Sequence, residues 1–312
     1  MSNLAVCLNA VLPIFIILAL GYIARRCGAL KRSDVPKLNK LAFYYFLPVM
    51  LFYNIYSSDI SHAIQPKLLA FAAIAVLLEY GMSLAFVMLT EKDNAKRGVK
   101  IQGMYRSNFV IIGIPLAGSL VAGADLAPVV MLISVIVPMY NMIAVITLEV
   151  FSGGKPKMGE LLLKIIKNPL IIGTLVGVFF LLTGIKLPEA IVSAVRQIGG
   201  AANPLMLFLL GAFFEFGGLK NRIRDVALVS SVRLIIMPAI FLTAAALLGF
   251  RGVEFAGLIA IFASATAIAS FTMVQQMGGD DELAGDIVVT TSAFCSLTMF
   301  GWSLLFKSLG VF

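Results

Sequence analysis

Long hydrophobic runs alternate with short polar connections along the whole chain. Each run lasts about 20 residues, the length at which an α-helix crosses a hydrocarbon core of roughly 30 Å. Lipid offers the backbone no hydrogen bonds, so such runs form helices, and the shorter alternating segments of a β-barrel are absent. The pattern predicts ten spans, at residues 4–24, 38–57, 68–90, 101–122, 127–150, 161–183, 190–214, 226–249, 254–277 and 285–310.

The composition strengthens this prediction. Of the 312 residues, 60% are hydrophobic and 13% charged, and the mean hydropathy is +1.00. An ordinary soluble domain is about half apolar and about a quarter charged. We therefore expect an all-α polytopic membrane protein in contact with the lipid bilayer. Arg25 and Arg26 follow the first run and no basic stretch precedes it, which favours a retained helix over a cleaved signal peptide.

The distribution of lysine and arginine predicts the orientation. Eighteen of the 24 flank the first, third, fifth and seventh connections, and five lie on the opposite side. Basic loops stay in the cytoplasm, so we expect a multi-pass protein of the cell membrane with both termini outside. The net charge of +8 is then mainly a topology signal and does not indicate nucleic-acid binding.

The two halves of the chain share landmarks at an offset of 156 residues. Pro13 aligns with Pro169, and Gly21 aligns with Gly177. Five spans per half is an odd number, so the halves are predicted to be inverted repeats, residues 1–156 and 157–312. In membrane proteins such a duplication is typical of transporters, because it lets one site open alternately to two sides.

Two predicted spans carry signals of a broken helix. In the fourth, Pro115 removes a backbone donor and Gly113 loosens the preceding turn, which frees carbonyl groups near Gly113 and Pro115. Asn108 lies just upstream, on a face that could reach the broken region. An ion, water or substrate can satisfy those carbonyls. The alternatives are a simple proline kink and an asparagine that only joins helices.

The equivalent strip in the ninth span, residues 262–271, is rich in small and hydroxyl residues. Ser264 lies 156 positions after Asn108, and Thr266 and Ser270 follow it. Where the two strips cross, helix N-terminal ends would face an anion at mid-membrane. The alternative is that the small residues serve close packing alone.

Charged residues inside spans are costly unless paired or hydrated, and are therefore functional candidates. Glu79 lies in the third span and Arg233 in the eighth. Glu79 can bind a proton, and Arg233 can meet an anionic substrate. Alternatively the two form a structural pair, or Arg233 extends to the cytoplasmic surface. Secondary candidates are Tyr140, Asn141, Gln275 and Gln276.

Other site chemistries find little support. Cys7, Cys27 and Cys295 show no paired spacing, and His62 is the only histidine, so no metal site, cofactor site or catalytic triad is expected. The protein is therefore not predicted to be an enzyme. Gly173 and Gly177 form a GxxxG pattern that permits close helix contact within the protomer or in a homodimer.

The stretch from Ser107 through Asn108, Gly113, Pro115 and Leu116 resembles the fourth-span signature of the auxin efflux carrier family, which includes bacterial malate permeases. The resemblance implies ten helices in two inverted repeats, with crossed, broken fourth and ninth helices. Helices 1, 2, 6 and 7 would form a scaffold, and helices 3–5 and 8–10 a transport unit.

The resemblance implies a permease for a small organic anion, such as malate or an auxin-like acid, coupled to a proton or sodium ion. It carries over Asn108, Gly113 and Pro115 as crossover residues, with Glu79 supporting the site. The chain departs from the family at Ala265, where many members have proline, and at Ile111, where many have a polar residue. A sodium-coupled symporter of the bile-acid-carrier type and a membrane sensor without transport remain alternatives.

Overall fold

The computed structural model describes residues 3–58, 65–121, 123–152 and 158–311. These residues are helical except for short connections and one isolated β-bridge. His62 and the connection 153–156 lie outside the described residues. The α-helices are α1 (Asn3–Arg26), α2 (Val35–Leu41), α3 (Leu47–Tyr56), α4 (Pro66–Thr90), α5 (Asn94–Tyr105), α6 (Ile114–Leu120), α7 (Ala127–Phe151), α8 (Met158–Ile166), α9 (Pro169–Thr183), α10 (Glu189–Phe213), α11 (Phe216–Ser231), α12 (Met237–Leu247), α13 (Gly252–Ala263), α14 (Ala269–Met277) and α15 (Asp281–Ser308).

Four helical stretches among the described residues are long and apolar enough to cross a membrane: α4, α7, α15 and the continuous run Phe216–Leu247. A fifth span results if Gly159–Ile166 and Pro169–Thr183, bent by 59°, count as one. Two shorter apolar helices are Phe109–Leu120 and Gly252–Ala263. Many large apolar side chains point outward, as a surface in lipid requires. The chain is thus a helical membrane protein, and the count of ten spans stays a prediction.

Three short π-helical segments interrupt the α-helices, and each ends two residues before a proline. They are Ala42–Phe46 before Pro48, Phe109–Gly113 before Pro115, and Val232–Ile236 before Pro238. Proline lacks a backbone N–H and its ring collides with the carbonyl four residues earlier. The wider turn accommodates the ring, so the helix continues through each proline instead of ending there.

Glycines allow close contact between the helices of the two halves. Helix α1 packs against α10, and α3 packs against α9. A Cβ atom on Gly173 would lie 2.6 Å from the Pro48 carbonyl oxygen, and one on Gly177 would lie 3.0 Å from Ile55 Cβ. The GxxxG pattern therefore serves a contact within the protomer.

A chain of alternating charges joins three of the connections predicted to be cytoplasmic. Glu215 accepts from Arg25 at 3.1 Å and pairs with Arg32 at 3.2 Å. Arg32 also donates to Glu282 at 2.7 Å, and Glu282 accepts from Arg222. These five residues, the ionic chain, link the start of α11 and the start of α15 to the end of α1 and the segment after it.

Candidate substrate site at two interrupted helices

Two helices are interrupted at positions that meet in the structure. Helix α5 ends at Tyr105 and helical structure resumes at Phe109, while α13 ends at Ala263 and α14 begins at Ala269. The first residue of each gap is extended, with ψ of 115° at Arg106 and 163° at Ser264. Each half is too short to cross a bilayer alone.

The two gaps are joined through their backbones. Ser107 and Thr266 form an isolated antiparallel bridge. The Asn108 N–H donates to the Ala265 carbonyl at 2.8 Å, and the Ala267 N–H donates to the Arg106 carbonyl at 3.1 Å. Backbone groups freed by one break are thus satisfied by the other, which a lipid environment demands.

Hydroxyl side chains complete these contacts. The Ser107 and Ser264 hydroxyls lie 2.6 Å apart, and the Thr266 hydroxyl donates to the Gly103 carbonyl at 2.8 Å. The Thr291 hydroxyl accepts the Thr266 N–H at 3.2 Å. The second break therefore forms at Ala265 without a proline, because hydroxyl groups stabilise the extended backbone.

The break in the fourth predicted span lies upstream of its predicted place. Gly113 ends the π-helical segment, and Pro115 occupies the first turn of α6 with its ring exposed. The predicted break at Gly113 and Pro115 is displaced to residues 106–108, because the wide turn accommodates the proline ring and the helix continues through it. Freed carbonyls near Gly113 and Pro115 stay a prediction, since proline has no N–H to donate to the preceding turn. Gly113 instead permits close packing, since a Cβ there would lie 2.7 Å from the Ala260 carbonyl oxygen.

Arg233 and Glu79 form a fully buried ion pair, with Nη1 donating to Oε1 at 2.8 Å. Arg233 also donates to the carbonyls of Ser264 at 2.9 Å, Ile261 at 2.7 Å and Tyr105 at 3.1 Å. The guanidinium therefore lies at the C-terminal ends of α5 and α13, where helix dipoles place partial negative charge. These contacts match the structural-pair interpretation, and neither side chain lines the cavity described next.

A small cavity of about 70 Å³ lies beside the crossing. Its walls come from the two breaks, from α3, from α7 and from α10. Asn108 is the one residue of the predicted main set that lines it. The lining residues are Leu47, Met50, Leu51, Asn54, Arg106, Ser107, Asn108, Phe109, Val110, Ile111, Val137, Tyr140, Asn141, Asn203, Ala267, Ile268 and Ala269.

Arg106 supplies the cavity with a positive charge that the sequence reasoning missed. Its side chain is buried and donates to Asn141 Oδ1 at 2.7 Å and to Gln102 Oε1 at 3.2 Å. It also contacts the Met273 sulfur at 2.7 Å. Among the described residues it forms no ion pair with a carboxylate. Arg106 was counted among the eighteen basic residues assigned to the cytoplasmic connections. Its position directly before Ser107 and Asn108 was the signal that it belongs to the site.

The cavity is electropositive for a second reason. The helices that begin at Phe109 and Ala269 both start at its wall, and helix N-termini carry unsatisfied N–H groups and partial positive charge. Asn108 Nδ2 is buried and has no hydrogen-bond acceptor among the described residues. An unpaired donor and two helix N-termini therefore meet at this wall, an arrangement suited to an anion.

The remaining candidates lie around this site. Ser270 is buried one residue beyond the cavity wall, and its hydroxyl has no partner among the described residues. Tyr140 and Asn141 line the cavity, and Asn141 orients Arg106. Gln275 accepts from Asn39 at 2.8 Å, and Gln276 donates to the Pro36 carbonyl at 3.1 Å, so both tie α14 to α2.

Comparisons with known proteins show the family of the chain. The family model described as "Membrane transport protein" matches residues 6–159 and 156–303. An uncharacterized transporter of Methanothermobacter thermautotrophicus is 22% identical over 300 residues, covering 95% of this chain and 97% of that protein. An uncharacterized transporter of Methanocaldococcus jannaschii is 23% identical over 310 residues, covering 96% and 99%. The chain belongs to the membrane transport protein family, whose members are auxin efflux carrier-like, as the motif around Asn108 predicted.

Proposed function

We propose that this protein is a secondary active transporter that moves a small organic anion across the cell membrane by alternating access. The observation that carries the proposal is Arg106, a buried cation without a carboxylate partner among the described residues. It lines a cavity at which two helices begin. A buried charge is costly unless it is paired, and an organic anion supplies the missing partner.

The proposed architecture has ten spans in two inverted repeats, with both termini outside. Equivalent helix contacts in the two halves support it. The contact of α1 with α10 corresponds to that of α3 with α9, and the contact of α4 with α5 corresponds to that of α12 with α13. The helix breaks of the two halves fall at the equivalent positions Asn108 and Ser264. The ionic chain gathers basic connections on one side, consistent with a cytoplasmic face.

The proposed movement separates a scaffold from a transport unit. The cavity lies where the two would meet, since α3 and α10 belong to the scaffold and the broken helices and α7 to the moving unit. A site on such a boundary is exposed to either side when the unit moves. We propose coupling to a proton or a sodium ion, and the pairing of Glu79 with Arg233 argues against Glu79 as a freely exchanging proton carrier.

The test is uptake of labelled small carboxylic acids into proteoliposomes, with a pH or a sodium gradient imposed separately. Arg106→Gln is expected to abolish uptake and Arg106→Lys to retain part of it, because lysine keeps the charge without the planar fork. Arg224→Gln is the matched control, since Arg224 is exposed and distant from the cavity.

Three outcomes decide the proposal. Gradient-stimulated uptake that is lost in Arg106→Gln but kept in the control supports it. Binding of an acid without counterflow favours a membrane sensor. Folded protein that moves no small acid under either gradient contradicts the proposal.

A further inference from the structure

The cavity holds one uncompensated charge, which limits the charge of its ligand. Among the described lining residues Arg106 is the single ionisable cation, and no aspartate or glutamate lines the cavity. Arg233 does not line the cavity, and its donors bind Glu79 and four backbone carbonyls. One carboxylate therefore neutralises the site. A second carboxylate would need a further cation at membrane depth, which no described lining residue supplies.

The wall opposite Arg106's helix offers neutral polar groups. Asn54 projects from α3 and Asn203 from α10, and both are partly exposed in the cavity. Neither carboxamide forms a hydrogen bond to another described side chain. A carboxamide both donates and accepts, so this pair matches a hydroxyl or carbonyl group on the ligand, and an apolar group would leave it unpaired.

We infer that the transported anion is a short monocarboxylate with a neutral hydroxyl or carbonyl group, and not a dicarboxylate. This inference rests on the proposed function. Arg106 and Asn108 bind the carboxylate, and Asn54 and Asn203 bind the neutral polar end. The lining also includes the apolar residues Leu47 and Val137, which suit a short carbon chain between the two polar ends. An ammonium group has no anionic partner among the described lining residues, so amino acid zwitterions are disfavoured.

The experiment is counterflow in proteoliposomes with four acids at pH 7.5: propionate, lactate, succinate and malate. They combine one or two carboxylates with the absence or presence of a hydroxyl. We expect lactate to exchange at least about tenfold faster than propionate, in line with one neutral hydrogen bond, and faster than either dicarboxylate. Protein-free liposomes correct for diffusion of the undissociated acids.

Variants separate the two ends of the site. Asn54→Leu and Asn203→Leu are expected to reduce the ratio of lactate to propionate exchange. Asn203→Lys adds a second cation and is expected to raise succinate exchange relative to propionate. If a variant fails to fold, as judged by size-exclusion chromatography, the wild-type panel alone decides the question.

The outcomes are distinguishable from failure of the proposed function. Exchange of succinate or malate at least equal to lactate overturns the inference but leaves an organic-anion transporter. Equal exchange of propionate and lactate overturns the role of the carboxamides. No exchange of any acid in this or a wider panel contradicts the proposed function itself.

Discussion

Arg106 and Arg233 show how two buried arginines on one crossing differ in role. Arg233 donates to Glu79 and to the carbonyls at the ends of α5 and α13. Arg106 binds only neutral acceptors and faces the cavity. Both are buried, so burial alone does not identify a ligand-binding charge. What distinguishes them is whether the protein supplies the counter-charge.

The Glu79–Arg233 pair is expected to be a stability determinant. Glu79→Gln leaves a buried uncompensated cation, and breaking a buried pair typically costs about 3–5 kcal/mol. We expect a large loss of thermal stability in Glu79→Gln and in Arg233→Met, measured by thermal unfolding in detergent.

The double variant Glu79→Gln/Arg233→Met supplies the control. It removes both charges and is expected to be more stable than the sum of the two single losses predicts. Single variants as stable as the wild type would show that the ion pair does not hold the crossing together.

At the residue scale, the sequence identified charges that stand inside apolar runs, where burial is costly, and missed a charge that stands next to a polar connection. A glutamate and an arginine inside apolar runs stand out, and their pairing was among the interpretations considered. Arg106 did not stand out, because it follows the basic residues of a connection and its burial depends on where the helix breaks. Pro115 led to a predicted break at the wrong turn of the helix, because hydrophobic periodicity does not indicate the π-helical turn that accommodates the proline.

Most helix ends lie within a few residues of the predicted ones, since long apolar runs leave the backbone little choice in lipid. The helices of the fourth and eighth predicted spans begin earlier than predicted, at Asn94 and Phe216 instead of residues 101 and 226. The gap at 106–108 was not predicted. Its stability comes from hydrogen bonds with the gap 160 residues later, and such nonlocal partners leave no local signal. The corresponding gap at Ser264 was anticipated from hydroxyl residues, which satisfy an extended backbone themselves.

The connection between α4 and α5 makes a pH prediction. Burial raises the pKa of Glu91, but hydrogen bonds from Lys100 and from the N–H groups of Asp93 and Lys92 outweigh it and lower the pKa to about 2 from 4.5. A carboxyl group whose pKa is lower in the folded state than in the unfolded state stabilises the fold at a pH above its unfolded-state pKa. This stabilisation is lost as the pH falls toward the folded-state pKa.

We therefore expect Glu91→Gln to lower the thermal unfolding temperature at pH 7, with the difference from wild type shrinking between about pH 4.5 and pH 2. Glu189→Gln is the control, because its side chain is 84% exposed and its nearest cation is 3.8 Å away. A Glu91→Gln difference that is independent of pH would contradict the assigned pKa.

Across the whole molecule, the ionic chain links the proposed scaffold to the proposed transport unit. Arg32 belongs to the segment between α1 and α2, whereas Glu282 begins α15. If these parts move relative to each other, the Arg32–Glu282 contact is made in one arrangement and broken in another.

We expect the reversal Arg32→Glu or Glu282→Arg to change the counterflow rate by about two- to fivefold, the scale of a partly exposed ion pair worth about 0–1 kcal/mol. Because Arg32 also pairs with Glu215 and Glu282 also accepts from Arg222, the exchanged double variant is expected to restore the rate only in part. Lys37→Glu is the control, since Lys37 is exposed and forms no ion pair among the described residues. A double variant slower than both singles would contradict a direct pairing.

The junction between the two interrupted helices includes two main-chain hydrogen bonds, which every amino acid except proline can donate. Side chains that line the cavity can therefore be substituted without loss of these main-chain hydrogen bonds. Relatives that are about a fifth identical in sequence can then share the helix crossing and differ in substrate. If the proposed site is correct, positions 54, 106 and 203 are expected to differ between relatives that carry different substrates.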